Sequence, residues 1–201
     1  IKKDPEKVSV RMGFAFPDTY EIGMSYMGLQ ILYNILNKND DIYCERVFAP
    51  AMDMEELMRE CGRELFTLET FTPVKELDIL GFTLQYELSY TNVLNMLQLG
   101  NIPLKSCDRG EEYPVIIAGG PCAYNPEPLA DFIDVFLIGD GEELLEQVCL
   151  AKKDTSSKEE FLKKISAYDG VYVPSFYDVE YNEDGTVKAY NKAWEGAPDR
   201  V

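Results

Sequence analysis

The sequence predicts an α/β protein built on a five-stranded, doubly wound parallel sheet of the Rossmann or flavodoxin-like kind. Predicted strands and helices alternate five times over residues 1–153, and each pair of parallel neighbours in a sheet needs such a crossover. The run Val115-Ile116-Ile117 is apolar without a break, which is typical of a strand buried on both faces. Glycines follow this strand, where a backbone turns sharply and can approach a ligand closely.

Each predicted strand and helix follows from the spacing of its apolar residues and from the residues that end it. Helical spacing begins at Leu29 in the first helix, Asp53 is placed to cap the second, and Gly100 ends the third. Residues 65–73 fit no single pattern and are predicted as a loop with a short extended piece. The predicted strands are 8–16, 42–48, 77–84, 115–118 and 133–138, and the predicted helices are 24–37, 54–62, 86–99 and 142–152, with a helical turn at 126–132.

The last part of the chain, residues 154–201, changes character and is predicted as an appendage to the sheet domain of residues 1–153. A polar linker at 154–158 leads into a helix at 158–167. Residues 177–191 alternate in polarity around Asp184-Gly185, which is a strong signal for a β-hairpin.

The charge of the chain excludes several classes of partner. The 201 residues carry a net charge of −17, from 36 acidic against 19 basic residues. Such a surface repels phosphate backbones and anionic membranes, so neither nucleic acid nor a membrane is an expected partner. No apolar run is long enough to span a bilayer, and the first residues lack the apolar core of a signal peptide. We therefore expect a cytoplasmic protein.

The cysteine and histidine content limits the chemistry further. The five cysteines form no C-x-x-C pair, and free thiols in a reducing compartment are expected. Neither a zinc ribbon nor an iron–sulfur cluster is encoded in this part of the chain. Histidine is absent, which excludes Ser-His-Asp triads and histidine-bearing zinc sites. The chain must use carboxylates, hydroxyls and backbone, or bind a cofactor that carries its own reactivity.

Four loops are expected at the carboxyl edge of the parallel sheet: residues 17–25, 83–87, 119–125 and 139–143. Ligands of open α/β sheets bind at this edge, so the loops predict a binding crevice. Two alternatives stay open at this point: the glycines form ordinary turns, and Glu142 is an acid favoured at a helix start. The candidate site residues are Asp18, Tyr20, Gly23, Ser25, Thr83, Gln85, Tyr86, Gly119, Gly120, Pro121, Gly139, Gly141 and Glu142.

Two stretches, AGGPCAYNPEPLADFIDVFLIGDGEE at 118–143 and FPDTYEIGMSYMGLQILYNILN at 16–37, resemble a known family. They are similar to the cobalamin-binding-type domain at the amino end of many radical S-adenosylmethionine (radical SAM) enzymes, in an uncharacterised bacterial branch. The resemblance implies that the candidate residues border a bound cobalamin. It also implies oxidoreductase or methyltransferase-like chemistry in a catalytic barrel after Val201, which would hold the S-adenosylmethionine and a 4Fe-4S cluster, and no catalytic residue in this part.

The chain departs from that family at one informative position. Cobalamin mutases and methyltransferases carry Asp-x-His-x-x-Gly after the first strand, with the histidine bound to cobalt. Here Asp18 and Gly23 match, but Tyr20 replaces the histidine. Tyr20 therefore lies below the cobalt or simply packs on the helix start. Three hypotheses stay open: a cobalamin domain without an imidazole ligand, a degenerate docking or substrate-shaping module, and a flavodoxin-like binder of a small ligand.

Overall fold

The computed structural model covers residues 1–201 and contains one six-stranded sheet and a separate hairpin. The strand order in the large sheet is β2-β1-β3-β4-β5-β6, in which the first five strands are parallel and β6 is antiparallel to β5. The strands of this sheet are β1 (Val10–Phe16), β2 (Ile42–Phe48), β3 (Ile79–Thr83), β4 (Val115–Gly119), β5 (Val135–Leu137) and β6 (Val171–Tyr172).

Helices cover both faces of the sheet, as the continuous apolar strands require. One face packs against α2, α5 and α6, with Leu29, Val148 and Phe161 in the core. The other face packs against α3 and α4, with Val93 and Met96 in the core. The helices are α1 (Tyr20–Ser25), α2 (Met27–Lys38), α3 (Met52–Glu60), α4 (Tyr90–Leu99), α5 (Gly141–Lys153) and α6 (Lys158–Ile165).

The predicted α/β class and the mostly parallel sheet are confirmed, with two differences. The sheet has six strands instead of five, because Val171 and Tyr172 pair with Leu137 and Phe136 at the edge of the sheet. The first predicted helix, 24–37, is two helices, because the backbone at Tyr26 is extended (φ −81°, ψ 113°) and separates α1 from α2.

The outer edge of β2 is closed by side chains. Asn37 Nδ2 donates to the Cys44 carbonyl, and the Cys44 amide donates to Asn37 Oδ1. Glu69 accepts from the Arg46 amide at 2.7 Å, and the Leu68 amide donates to the Arg46 carbonyl at 2.9 Å. The strand therefore has few free backbone groups on the side where another chain would pair.

The loop at 65–73, which supplies Leu68 and Glu69, is anchored to a buried ion pair. Glu45 is fully buried in β2 and accepts from Arg11 Nη2 at 2.6 Å. Thr67 and Thr70 also donate to the Glu45 carboxylate. A buried carboxylate needs this full set of partners, because an unpaired charge would cost several kcal/mol.

The carboxyl-terminal segment adds the hairpin of β7 (Tyr177–Tyr181) and β8 (Val187–Lys192). The ring of Tyr177 lies 5.4 Å from that of Tyr172 in β6. Glu127 accepts from the hydroxyls of Tyr172 and Tyr181 at 2.9 and 3.2 Å. Burial, and then the nearby Glu127 carboxylate, raise the pKa of Tyr172 well above its usual value. No helix in the chain has the length and apolar character to cross a membrane.

Candidate functional site

A cleft of about 200 Å³ opens at the carboxyl ends of β1, β3, β4 and β5. It lies between these strand ends and the helices α2 and α5, on one face of the sheet. This is the position at which open α/β sheets bind ligands. The apolar walls come from both layers and include Phe14, Ile31, Leu32, Leu137 and Leu145.

Bare backbone borders much of the cleft. Gly120 has φ 101° and ψ −179°, a region that only glycine adopts readily. A Cβ on Gly120 would also lie 2.9 Å from the Leu84 carbonyl oxygen. Gly119, Gly139 and Gly141 line the same cleft, so the loops after β4 and β5 bring main-chain atoms to its border instead of side chains.

The floor of the cleft is also shaped by a glycine. A Cβ on Gly81 in β3 would lie 2.5 Å from Met12 Cε and 3.2 Å from Ile117 Cγ1. Met12 therefore occupies the space that a side chain at Gly81 would take. Because methionine is flexible, the shape of the floor can change with what it contacts.

The polar groups of the cleft are few and ordered. Gln85 Nε2 donates to Thr83 Oγ1 at 2.6 Å, which leaves the Thr83 proton and Gln85 Oε1 available to a ligand. Asp140 and Glu142 lie at the amino end of α5, where the helix dipole favours acids. The acids disfavour an anionic ligand, and Thr83 and Gln85 offer a ligand one donor and one acceptor.

A second region of the same edge lies beside the cleft, and we call it the platform. It consists of the loops after β1 (17–19), β2 (49–51), β3 (84–89) and β4 (120–125), together with the helices α1 and α3. Hydrogen bonds join the four loops in sheet order. The Ala49 amide donates to the Asp18 carbonyl at 3.0 Å, and the Tyr86 hydroxyl donates to Asp18 Oδ2 at 2.5 Å. The Cys122 amide donates to the Leu84 carbonyl at 3.1 Å. The hydrogen bond to Asp18 raises the pKa of Tyr86.

The structure divides the candidate residues between these two regions. Tyr20 is half-exposed and packs edge-on against Phe48, at 5.4 Å between ring centroids, outside the cleft wall. Gly23 packs against Phe16 and Phe48, Ser25 Oγ donates to the Ile22 carbonyl, and Pro121 begins a 3-10 turn. Asp18 and Tyr86 belong to the platform. The residues that line the cleft are Thr83, Gln85, Gly119, Gly120, Gly139, Gly141 and Glu142.

Sequence reasoning missed the aromatic wall of the cleft, which is Tyr26. Its ring lies 5.6 Å from that of Phe16 and within 3 Å of the position that a Cβ on Gly28 would take. The available signal was Gly28 itself, because a glycine inside a helical pattern often marks a close approach. The extended backbone at Tyr26 turns the ring toward the strands.

No cysteine lines the cleft. All five are free, and burial raises the pKa of Cys122, which follows the glycine loop, so its thiol stays protonated. Burial raises the pKa of Cys149 to about 12. No group of three or more His, Cys, Asp or Glu side chains is arranged to hold a metal ion.

Comparisons with known proteins match the chain to one family model. The model described as "Radical SAM proteins, N-terminal" matches residues 28–174, from the second residue of α2 to beyond β6. A protein of Methanocaldococcus jannaschii named "Uncharacterized protein MJ0966" is 26% identical over 137 residues, which are 68% of this chain and 25% of that protein. The chain thus spans about a quarter of the length of that curated relative. No solved structure matches the chain.

Proposed function

Because the chain belongs to the family of radical SAM N-terminal domains, we propose that it holds a corrin cofactor, cobalamin, and positions it against a catalytic domain of the full-length protein. The observation that carries this proposal is the glycine-bordered cleft at the carboxyl ends of four neighbouring strands. The chain itself contributes binding and position, and the reactive atoms belong to the cofactor and the catalytic domain.

The residues of the cleft fit one arm of such a cofactor. Pockets that enclose a whole drug-sized ligand measure about 300–1,000 Å³, whereas this cleft measures about 200 Å³. A cleft of this volume would hold a single ring system, such as the benzimidazole of the cobalamin tail. The apolar walls of Phe14, Leu32 and Tyr26 favour a flat ring without charge.

The chain's own residues have distinct roles in this proposal. Gly119, Gly120, Gly139 and Gly141 would let the cofactor approach the backbone, and Thr83, which accepts a hydrogen bond from Gln85, would donate to the free ring nitrogen of the benzimidazole. When bound, cobalamin supplies the alkyl-transfer or radical reactivity of its cobalt. Because the chain has no histidine, it gives the cobalt no imidazole ligand, and Tyr20 points to Phe48 instead.

A second candidate function is a docking or substrate-shaping module that has kept the fold and lost the cofactor. The replacement of the histidine by Tyr20 and the small volume of the cleft favour this alternative. A flavodoxin-like binder of an anionic mononucleotide is less well supported, because Asp18 and Glu21 follow the first strand and Asp140 and Glu142 face the cleft.

The test is a titration of the 201-residue chain with hydroxocobalamin and methylcobalamin, followed by gel filtration. We expect retained corrin with the spectrum of a cobalt that lacks an imidazole ligand. Gly141→Phe places a ring in the cleft toward Leu32, whose Cδ1 lies 3.6 Å from the Cβ position of residue 141. We expect this variant to lower corrin retention at least tenfold, which corresponds to a loss of about 1.4 kcal/mol in binding free energy. Tyr20→Phe leaves retention unchanged.

The matched control is Glu143→Phe, which places the same ring in the same helical turn but outside the cleft. Equal losses in both variants would show that a bulky ring near α5 acts indirectly. If neither the native chain nor the full-length protein retains corrin, the docking-module function replaces the cofactor function.

A further inference from the structure

Several large apolar side chains of the platform are exposed to solvent. Met52, Leu88 and Tyr124 are 88%, 87% and 72% exposed, and they follow β2, β3 and β4 respectively. Single exposed apolar residues scattered over a surface are normal, but their concentration in one region marks an interaction site. None of the three lines the cleft, so ligand binding in the cleft does not account for them.

The platform is already ordered for binding. The bonds from Ala49 and Tyr86 to Asp18 fix the loops after β2 and β3 to the loop after β1. Asn92 Nδ2 in α4 also donates to the Pro17 carbonyl at 2.9 Å. A partner that binds here therefore pays little of the entropy that ordering loose loops would cost.

The charges around the apolar residues decide the kind of partner. The loops of the platform and the helices α1 and α3 carry acidic side chains, and their one basic residue, Arg59, is paired with Glu55 at 2.8 Å. A second copy of the chain would therefore bring like charges together, which opposes association. The acidic residues are Asp18, Glu21, Asp53, Glu55, Glu56, Glu60 and Glu87.

We propose that the platform docks the catalytic domain of the same polypeptide, through a face with an apolar centre and a rim of lysine and arginine. This inference rests on the proposed function only for the existence of that domain, not for the cofactor. The relative from Methanocaldococcus jannaschii is about four times as long as its matched segment. Val201 and Pro126 line one pocket of about 270 Å³, which places Val201 beside the loop that carries Tyr124.

The test is oxidative footprinting of methionines by dilute peroxide, without corrin, in the 201-residue chain and in the full-length protein. Met52 is exposed and Met58, in the same helix, is buried, so the chain contains its own probe and reference. We expect Met52 to oxidise about tenfold more slowly in the full-length protein, which corresponds to a docked state favoured by about 1.4 kcal/mol. Met58 reacts slowly in both proteins.

Two variants of the full-length protein assign the protection to the platform. Leu88→Asp adds a charge at its apolar centre and returns the Met52 rate toward that of the 201-residue chain. Phe71→Asp changes another exposed apolar residue, in the loop at 65–73 outside the platform, and leaves the protection intact. Added salt weakens the protection, because the rim contacts are ionic.

Three results would overturn the proposal. Equal Met52 rates in the two proteins would show that no domain covers the platform. Equal effects of Leu88→Asp and Phe71→Asp would place the contact elsewhere. Protection of Met52 in the 201-residue chain that grows with its concentration would identify a second copy as the occupant. Corrin retention by the cleft is measured separately and can fail while the docking succeeds.

Discussion

The cleft and the platform share one edge of one sheet, but they are built in opposite ways. The cleft exists because side chains are missing at Gly81, Gly119, Gly120 and Gly141, so its shape depends on what the chain leaves out. The platform exists because side chains and backbone groups join neighbouring loops, as Tyr86 does with Asp18. A cleft formed by glycines is sensitive to any added side-chain atoms. A surface held together by several hydrogen bonds tolerates the loss of one of them. The two regions can therefore be altered separately.

The largest expected effect comes from Gly120→Ala, because this glycine serves both regions. Alanine at this position would have to take up a backbone conformation that only glycine adopts readily. Its Cβ would also contact the Leu84 carbonyl, which accepts the platform hydrogen bond from the Cys122 amide. We expect a loss of about 1–3 kcal/mol in the free energy of unfolding from the backbone strain alone. Urea unfolding measures it.

The control for this variant is Gly139→Ala. Gly139 also has a positive φ, 115°, but no atom lies within 4 Å of its Cβ position. Its loss is expected to be smaller than that of Gly120→Ala. Equal losses would show that the contact with Leu84 contributes nothing, and that the two regions are not joined at Gly120.

A smaller effect is expected from Gly81→Ala, which changes the cleft alone. The new methyl group displaces the flexible end of Met12, so the cost is about 1 kcal/mol, at the low end for an overfilled core. The displaced side chain reduces the space at the floor, and corrin retention falls. Retention after gel filtration, together with urea unfolding, checks both parts.

The matched variant is Gly13→Ala, in β1. Its Cβ position is crowded by the Leu77 and Leu80 methyl groups at 2.6 and 3.0 Å, on the opposite face of the sheet. We expect a similar loss of stability with unchanged retention. A retention loss in both variants would mean that the cleft responds to general destabilisation instead of to its own volume.

The smallest effect is expected from Tyr86→Phe, which removes one platform hydrogen bond. The bond is exposed, so its loss costs about 0.5 kcal/mol, at the low end for hydrogen bonds. The cleft keeps its ligand, because Tyr86 does not line it. A large loss of retention in this variant would contradict the separation of the two regions.

The stability difference between Tyr86→Phe and the native chain should also depend on pH. Asp18 raises the pKa of Tyr86 in the folded chain, so the folded state holds the phenol proton more tightly than the unfolded state. The stabilisation is therefore complete below the ordinary tyrosine pKa of about 10 and is lost as the pH rises through the raised value. The difference in unfolding free energy between native chain and variant should disappear at high pH. A difference that stays constant would mean that the hydroxyl acts through packing.

The sequence was sufficient for the parallel strands because apolar residues dominate each of them and a helix or a helical turn follows each of them. It was insufficient for β6, because the two residues Val171 and Tyr172 carry no periodicity, and their pairing depends on where the chain returns in space. A strand this short is determined by tertiary contacts more than by its own residues.

The site shows the same limit at Tyr20 and Tyr26. Tyr20 became a candidate because it stands at the histidine position of the Asp-x-His-x-x-Gly motif, two residues after Asp18. The helix break at Tyr26 accompanies packing of its ring against Phe16 and Gly28, and Gly28 is its one local signal in the sequence. The glycines of the cleft were found because their chemistry is local, whereas the aromatic wall depends on contacts between elements.

The closed edge of β2 has a consequence for how this chain behaves among its neighbours. Growing fibres recruit new molecules through unpaired strands, and here Asn37, Glu69 and Leu68 occupy the outward backbone groups of Cys44 and Arg46. The opposite border of the sheet offers only the two residues of β6. The large sheets of neighbouring copies therefore have few free backbone groups through which to pair.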